Sequence, residues 1–336
     1  MKNRSLVLDV ARISAVMLVL LLHTAMDFVK FNPESSSYLC GSIFNAAGRA
    51  GVPMFIMISG ALMLDEERQI SVRDVFTKYI LKLVMLFIAW SCIYALLYFV
   101  KAENVTAREI LSQIIYGKYH MWYLVMMMGL YMTVPILKLF IKKDNSKIIG
   151  YMLVLSIIFE LIPTFFSALS SFSPVFLQVS RQMSRFGFNF LSIYAVYFVT
   201  GWYIVNVGIK NKKALYLLSV LSLAAMILLT QLIGNCKDTY SNENLMVYLY
   251  SVGVFVFINE LCAGKTSIGM TEKLSRLTFG VYITHIIVRE SMDCFVPVFD
   301  ITVSSILIRY LAMSEISFAV CFFLSQIPIL KKLVRF

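Results

Sequence analysis

The sequence has little charge, few histidines and no closely spaced cysteines. Only 15% of its 336 residues are Asp, Glu, Lys or Arg, against about 25% in an average soluble domain, so a soluble globular fold is excluded. Its six cysteines include no Cys-x-x-Cys pair, which excludes a zinc knuckle and a thiol redox motif, and we expect no metal site. No connection between apolar segments is long enough for a separate soluble domain, and no internal repeat is visible.

Long apolar segments dominate what is present. Hydrophobic residues make up 60% of the chain and the mean hydropathy is +0.80, which indicates an integral membrane protein. Ten segments approach the roughly 20 residues that cross a bilayer as a helix. They are 6–28, 46–64, 79–100, 119–141, 148–169, 186–207, 214–233, 245–262, 276–295 and 302–328. The first is too long for a signal peptide. We therefore predict a single all-α polytopic membrane domain over residues 1–336, with ten transmembrane helices.

Basic residues lie mainly on one side of this arrangement. Nineteen of the 30 Lys and Arg residues fall in the even-numbered connections and the two termini, including Lys2 and Arg4, and nine fall on the other side. Cytoplasmic loops carry the excess of positive charge, so we predict that both termini are cytoplasmic. The net charge of +11 is then a topology signal, and we expect no nucleic-acid partner. Cys40, Cys236 and Cys294 face outward in this topology, and a disulfide between two of them stays an open alternative.

Ionisable residues inside the first apolar segment indicate a functional site. Arg12 and His23 are separated by ten residues, nine of them apolar, and an ionisable group in hydrocarbon costs roughly 2.5–3.5 kcal/mol. Eleven steps make about three helical turns, which places both side chains on one face roughly 16 Å apart along the axis. Asp9 lies three residues before Arg12 and Asp27 four after His23, at spacings where helix neighbours touch. In the predicted topology, Arg12 is in the cytoplasmic third of the bilayer and His23 in the outer third.

The second and third predicted helices carry residues with two interpretations. Arg49 lies at the outer boundary of the second helix, and Ser59 lies near its middle, where small residues most often serve close helix packing. Arg73, Lys78 and Lys82 cluster where the third helix begins. A basic cluster at the cytoplasmic face is usually a topology signal that also attracts anionic lipid. The alternative is a binding site for the phosphates of a ligand such as coenzyme A.

The other two histidines lie at the fourth and ninth predicted helices. His120 and the aromatic residues after it are typical of an interfacial belt. His285 lies near the middle of the bilayer, with Tyr282 three residues before it and Arg289 four after it on one face. A buried histidine satisfied by a neighbouring helix is the plain alternative. Because the chain has only three histidines and two of them, His23 and His285, are predicted to lie within the membrane, we favour a cavity that they share.

Taken in order, these motifs resemble the acyltransferase type 3 family of integral membrane O-acyltransferases. Five motifs between residues 9 and 285 carry the resemblance. They are Asp9, Arg12 and His23 in the first helix; Val52, Pro53, Phe55, Ser59 and Gly60 in the second, with Arg49 upstream; Lys78 and Lys82 at the third; His120, Met121, Trp122, Tyr123 and Leu124 at the fourth; and Phe279, Gly280, Tyr282 and His285 in the ninth. Thr278 stands where the family usually has serine. Lys78 and Lys82 stand where it has arginines, and lysine lacks the bidentate fork that suits a phosphate.

The resemblance implies transfer of an acyl group, most often acetyl, from cytoplasmic acyl-coenzyme A to a hydroxyl of a carbohydrate or lipid-linked glycan at the outer face. It implies a multipass protein of the plasma membrane, in a bacterial cell envelope, with acyl-coenzyme A as a substrate and no permanently bound cofactor. Some members of the family carry a fused extracytoplasmic domain, whereas this sequence ends at Phe336 just after its tenth span. We therefore expect either direct transfer within the bundle or a separate extracytoplasmic acyl-carrier partner.

The resemblance also suggests roles for individual residues. We expect His23, oriented by Asp27 or by another helix, to act as general base on the acceptor hydroxyl. Ser59, Tyr282 and His285 are the candidates to stabilise the oxyanion that forms on the thioester carbonyl. We expect Arg12, whose charge Asp9 compensates, to lie beside the pantetheine arm. The expected donor contacts are Lys78, Lys82 and Arg73. The expected acceptor contacts are Arg49, His120, Trp122 and Tyr123.

A transporter or exporter of a glycan or lipid-linked intermediate is the rival interpretation. Ten spans with buried histidines and carboxylates could also line a translocation path. The missing two-fold repeat argues against it, although nothing in the sequence shows an acyl donor directly. Four further charged residues lie within predicted spans, and internal pairing would account for them without a role in chemistry. They are Glu160, Glu260, Arg309 and Glu315.

Overall fold

The protein is almost entirely helical. The computed structural model describes residues 6–102, 105–266, 268–295, 298 and 300–335, and 82% of the chain is helix. Lys2, Arg4 and Phe336, which entered the predictions above, lie outside the described residues. Since no strand occurs within the described ranges, the predicted all-α fold is confirmed.

Sixteen α-helices occur in the described part of the chain. They are α1 (Leu6–Ala25), α2 (Ser36–Gly48), α3 (Gly51–Met63), α4 (Val72–Asp74), α5 (Leu81–Lys101), α6 (Ala107–Tyr116), α7 (Trp122–Phe140), α8 (Ser146–Ser156), α9 (Ile162–Ala168), α10 (Pro174–Ser184), α11 (Ile193–Asn206), α12 (Lys212–Ile233), α13 (Leu245–Cys262), α14 (Gly269–Phe295), α15 (Val303–Gln326) and α16 (Pro328–Val334). Short 3₁₀ or π segments extend several of them, so that neighbouring helices form longer continuous rods.

Eight helical segments are long and apolar enough to cross a membrane. They are Leu6–Lys30, Ser36–Met63, Val72–Lys101, Ala107–Phe140, Lys143–Ser171, Lys212–Ile233, Leu245–Cys262 and Val303–Gln326. Each overlaps one predicted span, so a multipass membrane protein is confirmed. The remaining two predicted spans, 186–207 and 276–295, are not among these eight segments of the described chain.

The two remaining spans differ from the others for separate reasons. In the first, α11 has only 14 residues and begins at Ile193, where the Ser192 side chain caps it by accepting a hydrogen bond from the Ala195 amide. Gly187, at a φ of +62°, lies in the non-helical stretch before it, so the predicted start at residue 186 is wrong. In the second, α14 has 27 residues but carries three charged residues near each end. They are Glu272, Lys273 and Arg276, then Arg289, Glu290 and Asp293. That these two helices also cross the membrane stays a prediction.

The first helix occupies the centre of the bundle. It packs against α2, α3, α13, α14 and α15. Ala11, Ala15, Val16 and Leu20 on α1 are completely buried, and the small alanine side chains allow these neighbours to approach closely. The helix that carries Arg12 is therefore surrounded by the other helices.

Helices α3 and α11 touch through their backbones. A Cβ atom on Gly60 would lie 1.8 Å from the carbonyl oxygen of Phe198, and one on Gly201 would lie 2.0 Å from that of Met57. Only glycine fits at such a crossing. Gly60 is thus a packing residue, whereas its neighbour Ser59 faces the cavity described below.

The cysteines are unpaired, and two of the four charged residues within predicted spans have partners on other helices. All six cysteines, including Cys40, Cys236 and Cys294, are free thiols. Glu260 pairs with Lys212 at 2.5 Å, and Arg309 pairs with Asp293, so two of the four unassigned charges join neighbouring helices as predicted. Of the other two, Glu160 is buried in a π-helical segment (Ile157–Leu161) and Glu315 is exposed on α15.

Candidate active site

All three histidines of the chain come together in the bundle. His23 lies near the end of α1, His120 in a 3₁₀ turn before α7, and His285 in the middle of α14. The ring centroids of His23 and His285 are 4.9 Å apart, and those of His120 and His285 are 5.2 Å apart. His23 and His120 are 97 positions apart in the chain, and His120 and His285 are 165 positions apart. The three side chains nevertheless form one group, which we call the histidine cluster.

Carbonyl groups fix how two of these histidines are protonated. His285 Nδ1 lies 2.5 Å from the Tyr282 carbonyl oxygen, and His120 Nε2 lies 3.4 Å from that of Ile283. Because a carbonyl oxygen only accepts, these nitrogens carry the protons. His285 Nε2 and His120 Nδ1 are then the basic nitrogens, and both are buried without a hydrogen-bond partner in the described part of the chain. Each of these two imidazoles therefore carries a buried lone pair to which no described group donates.

His23 differs from the other two because it is partly exposed. Its Nδ1 atom lies 3.4 Å from the sulfur of Met26, and its ring lies 5.8 Å from that of Tyr119. Asp27 does not orient it, since this carboxylate pairs with Arg289 at 2.5 Å and with Lys30 at 2.7 Å. The expectation that Asp27 orients His23 is therefore wrong.

A large cavity begins beside Arg12. It has a volume of about 950 Å³, and Asp9, Arg12, Phe55 and Ser59 are among the residues that line it. Arg12 pairs with Asp9 at 3.7 Å, as their spacing predicted, and its side chain is 30% exposed. The polar residues in the first half of α1 thus line an open space, which we call the Arg12 cavity.

Aromatic residues separate the Arg12 cavity from the histidine cluster. Tyr282 lines the cavity, and its hydroxyl donates to the carbonyl oxygen of His120. The Tyr282 ring lies 5.3 Å from that of Tyr123, which also lines the cavity, and 5.9 Å from that of His285. Ser59 lies within hydrogen-bonding reach of Tyr123 and Tyr131. The histidines themselves are not among the described lining residues, so Tyr282 is the link between the two parts of the site.

Apart from Arg12, the basic residues that line the cavity are not the ones the sequence motifs indicated. Among the described lining residues, the arginines other than Arg12 are Arg68, Arg276 and Arg335. Arg73, Lys78 and Lys82 are absent from that set. Lys78 instead pairs with Asp74 at 2.6 Å, and its side chain is 70% exposed.

Arg68, Arg276 and Arg335 are among the nineteen basic residues whose distribution predicts the topology, and none of them belongs to a sequence motif. One pattern in the sequence could have drawn attention to Arg276. It lies three residues before Phe279, which lines the same cavity, and residues three apart are neighbours on a helix surface.

The four predicted acceptor contacts lie in different places. His120 belongs to the histidine cluster, and Tyr123 lines the cavity. Trp122 is exposed and packs its ring 5.7 Å from that of Tyr194. Arg49 donates to Asn45 Oδ1 at 2.6 Å, with its guanidinium 5.1 Å from the centroid of the Tyr240 ring.

Tyr119 is a further residue at the site that the sequence motifs did not indicate. It is 47% exposed, and its ring lies 5.8 Å from that of His23 and 5.9 Å from that of His120. Within the described residues, no three His, Cys, Asp or Glu side chains are arranged to hold a metal ion. The cluster therefore offers imidazole bases beneath an exposed aromatic ring.

Comparison with known proteins gives one match. A family model described as an acyltransferase domain, that of the acyltransferase type 3 family, matches residues 6–326, which is nearly the whole chain. No curated protein and no solved structure matches it. The matched range includes the histidine cluster and all the described lining residues of the Arg12 cavity except Arg335.

Proposed function

The chain belongs to the acyltransferase type 3 family, and we propose that it moves an acetyl group from cytoplasmic acetyl-coenzyme A to a hydroxyl of a cell-envelope carbohydrate or lipid-linked glycan. The membrane is the bacterial plasma membrane, crossed ten times with both termini in the cytoplasm. One observation carries the proposal: Tyr282 lines the Arg12 cavity, and its ring packs against His120 and His285 of the histidine cluster.

Three arginines support a donor site in the Arg12 cavity. Coenzyme A ends in a diphosphate and a 3′-phosphate, and guanidinium groups bind phosphate oxygens in bidentate fashion. Arg68, Arg276 and Arg335 line the cavity at chain positions predicted to be cytoplasmic. We propose that they bind the phosphates while the pantetheine arm extends past Arg12 toward Tyr282. The alternative contacts Arg73, Lys78 and Lys82 stay a prediction.

The histidine cluster supports general base catalysis. His23 takes the proton of the acceptor hydroxyl, whose oxygen attacks the thioester carbonyl; the carbon–sulfur bond then breaks and the thiolate recovers a proton. Such a base contributes typically 10²–10⁴-fold to the rate. Because His285 presents an unprotonated nitrogen, it suits a proton acceptor better than an oxyanion donor. Of the predicted candidates for the oxyanion, Ser59 retains a hydroxyl on the cavity wall.

The acceptor enters from the opposite end in this proposal. Tyr119, exposed above His23 and His120, offers an aromatic face of the kind that packs against a sugar ring. An acceptor bound there would meet the imidazoles from outside, while the donor arrives through the Arg12 cavity. No resident cofactor takes part, and a separate extracytoplasmic acyl carrier is an alternative acceptor.

The test is acetyl-coenzyme A consumption by the purified protein in detergent. The assay contains radiolabelled acetyl-coenzyme A and an extract of cell-envelope glycans, and compares the parent with His23→Ala at equal amounts of folded protein. We expect a loss of at least about 100-fold in His23→Ala. Thioester consumption that is equal in the two proteins would contradict the role of His23. Glycan flux across proteoliposomes without any thioester consumption would instead establish the transporter.

A further inference from the structure

An ion pair lies one turn beyond two of the histidines. Asp27 follows His23 by four residues, and Arg289 follows His285 by four. Arg289 Nη2 lies 2.5 Å from Asp27 Oδ2, so the pair joins the 3₁₀ segment that continues α1 (Met26–Lys30) to α14, just beyond the point where the two imidazoles meet. The same two helices are therefore in contact through two successive layers, one of imidazoles and one of charges.

Burial makes this pair more restrictive than a surface ion pair. The side chains of Asp27 and Arg289 are only 10% and 12% exposed. Charge-assisted hydrogen bonds are short and directional, and screening by solvent is weak where water is excluded. Lys30 also contacts Asp27, but its side chain is exposed. The buried arginine is thus the partner that constrains the position of Asp27.

Arg289 is linked to a third helix through Asp293. Asp293, four residues further along α14, lies 3.8 Å from the Arg289 guanidinium and also pairs with Arg309 on α15. The chain of charges from Asp27 to Arg309 therefore crosses three helices. Arg289 has little freedom to follow Asp27 if α1 shifts.

The two imidazole rings have no such connection of their own. His23 Nδ1 faces the Met26 sulfur, and His285 Nδ1 faces the Tyr282 carbonyl oxygen, so each imidazole contacts a group on its own chain segment. The 4.9 Å separation of the rings is thus set by where the helices lie, not by a bond between the rings.

We propose that Asp27 and Arg289 are positioning residues, which lock α1 against α14 so that His23 and His285 act on one substrate proton. This inference rests on the proposed acyl transfer and adds to it a pair that none of the sequence motifs contains. Neither Asp27 nor Arg289 is among the described lining residues of the Arg12 cavity, and Arg289 also hydrogen-bonds the Tyr119 side chain beside His23. Loss of the pair therefore changes the catalytic step and leaves donor binding intact.

Kinetics of single substitutions give the first test. Asp27→Asn and Arg289→Gln are compared with Glu260→Gln, which breaks an ion pair of the same length between α12 and α13, away from the histidines. We expect kcat to fall at least tenfold in the first two variants, with KM for acetyl-coenzyme A within twofold, and no change in the control. A kcat within twofold of the parent in folded Arg289→Gln, or a tenfold rise in KM, would overturn the proposal.

If those variants fold poorly, a second set of variants that keeps both charges and changes only the side-chain lengths tests the same proposal. Arg289→Lys shortens one arm and retains the charge, and Asp27→Glu lengthens the other arm by one methylene. The double variant Asp27→Glu/Arg289→Lys should recover kcat to within threefold of the parent, whereas Arg289→Lys alone stays well below it. If the double variant is no better than the single one, the pair does not position the histidines.

Nuclear magnetic resonance separates failure of this inference from failure of the proposed function. Because the chain has only three histidines, selective ¹⁵N-histidine labelling gives a spectrum that His→Gln variants assign. Arg289→Gln should move the ring signals of His23 and His285 and move those of His120 less. Unmoved signals would overturn the positioning role whether or not the protein transfers acetyl. A parent protein that never consumes acetyl-coenzyme A would instead refute the proposed function alone.

Discussion

Basic residues near the predicted cytoplasmic face differ in whether their side chains line the Arg12 cavity. Arg276 and Lys78 form similar local ion pairs, with Glu272 and Asp74 four residues away on their own helical segments. Only Arg276 also lines the Arg12 cavity. A charge at the wall of a cavity can bind a phosphate, whereas one that is paired on an open surface contributes little to binding.

The first prediction compares these two residues. Arg276→Gln should raise KM for acetyl-coenzyme A about five- to tenfold, because it removes one charge-assisted hydrogen bond from a partly exposed site. Its kcat should stay within twofold, since Arg276 is far along the chain from the reacting groups in α14. Lys78→Gln is the matched control and should leave both constants unchanged. The opposite result would favour the lysine contacts that the sequence motifs predict.

The sequence predicts residues at this scale only where they share one helix. The Asp9–Arg12 pair follows from a spacing of three, and it is present. Arg68, Arg276 and Arg335 come from a loop, the beginning of α14 and the end of the chain. Their meeting at one cavity depends on how separate helices pack, which no local spacing contains.

At the scale of secondary-structure elements, glycines allow the closest helix crossing in the bundle. Gly60 on α3 and Gly201 on α11 allow the two backbones to touch. This crossing holds α3 in place, and with it Ser59 on the wall of the Arg12 cavity. A side chain at either glycine would displace one helix.

The second prediction concerns that crossing. Gly60→Ala should lower the apparent melting temperature in detergent by about 5 °C, because the new methyl group meets the Phe198 backbone. Gly129→Ala is the control, since nothing lies within 4 Å of a Cβ atom there, and alanine favours a helix interior. Equal melting temperatures for the two variants, followed by circular dichroism, would show that the crossing is not tight.

The length of the apolar segments predicted most of the membrane helices, but it did not predict where each helix begins and ends. Eight predicted spans overlap long apolar helices. The start of α11 was predicted seven residues too early, because residues 186–192 are apolar enough to extend the pattern yet contain Gly187 and the Ser192 cap. The predicted second span, 46–64, contains the last residues of α2 and the whole of α3, and the two helices meet within it at Arg49 and Ala50. Hydropathy does not register such breaks.

At the scale of the whole molecule, the Arg12 cavity and the histidine cluster lie at different ends of the central helix α1. Arg12 and the Arg12 cavity lie in its first half, and His23 lies near its end. Transfer across the membrane requires that these ends face opposite compartments. The excess of basic residues in the even-numbered connections predicts that the Arg12 end is cytoplasmic.

The third prediction tests that orientation. In a background with Cys40 and Cys236 replaced by serine, a membrane-impermeant maleimide should label Cys294, which is exposed at the predicted outer face, in intact cells. A Lys332→Cys variant that also carries Cys294→Ser should be labelled only after the cells are lysed. Labelling of position 332 in intact cells would reverse the predicted topology.

The central claim is that a donor on the cytoplasmic side acetylates an acceptor on the other side through the histidine cluster. The most direct measurement uses sealed inside-out and right-side-out vesicles, with radiolabelled acetyl-coenzyme A confined to the external medium. We predict that acetylated glycan forms only in inside-out vesicles, where the medium contacts the cytoplasmic face, and that it disappears in His23→Ala. Acetylation of equal extent in both kinds of vesicle, or acetylation that persists in His23→Ala, would contradict the account.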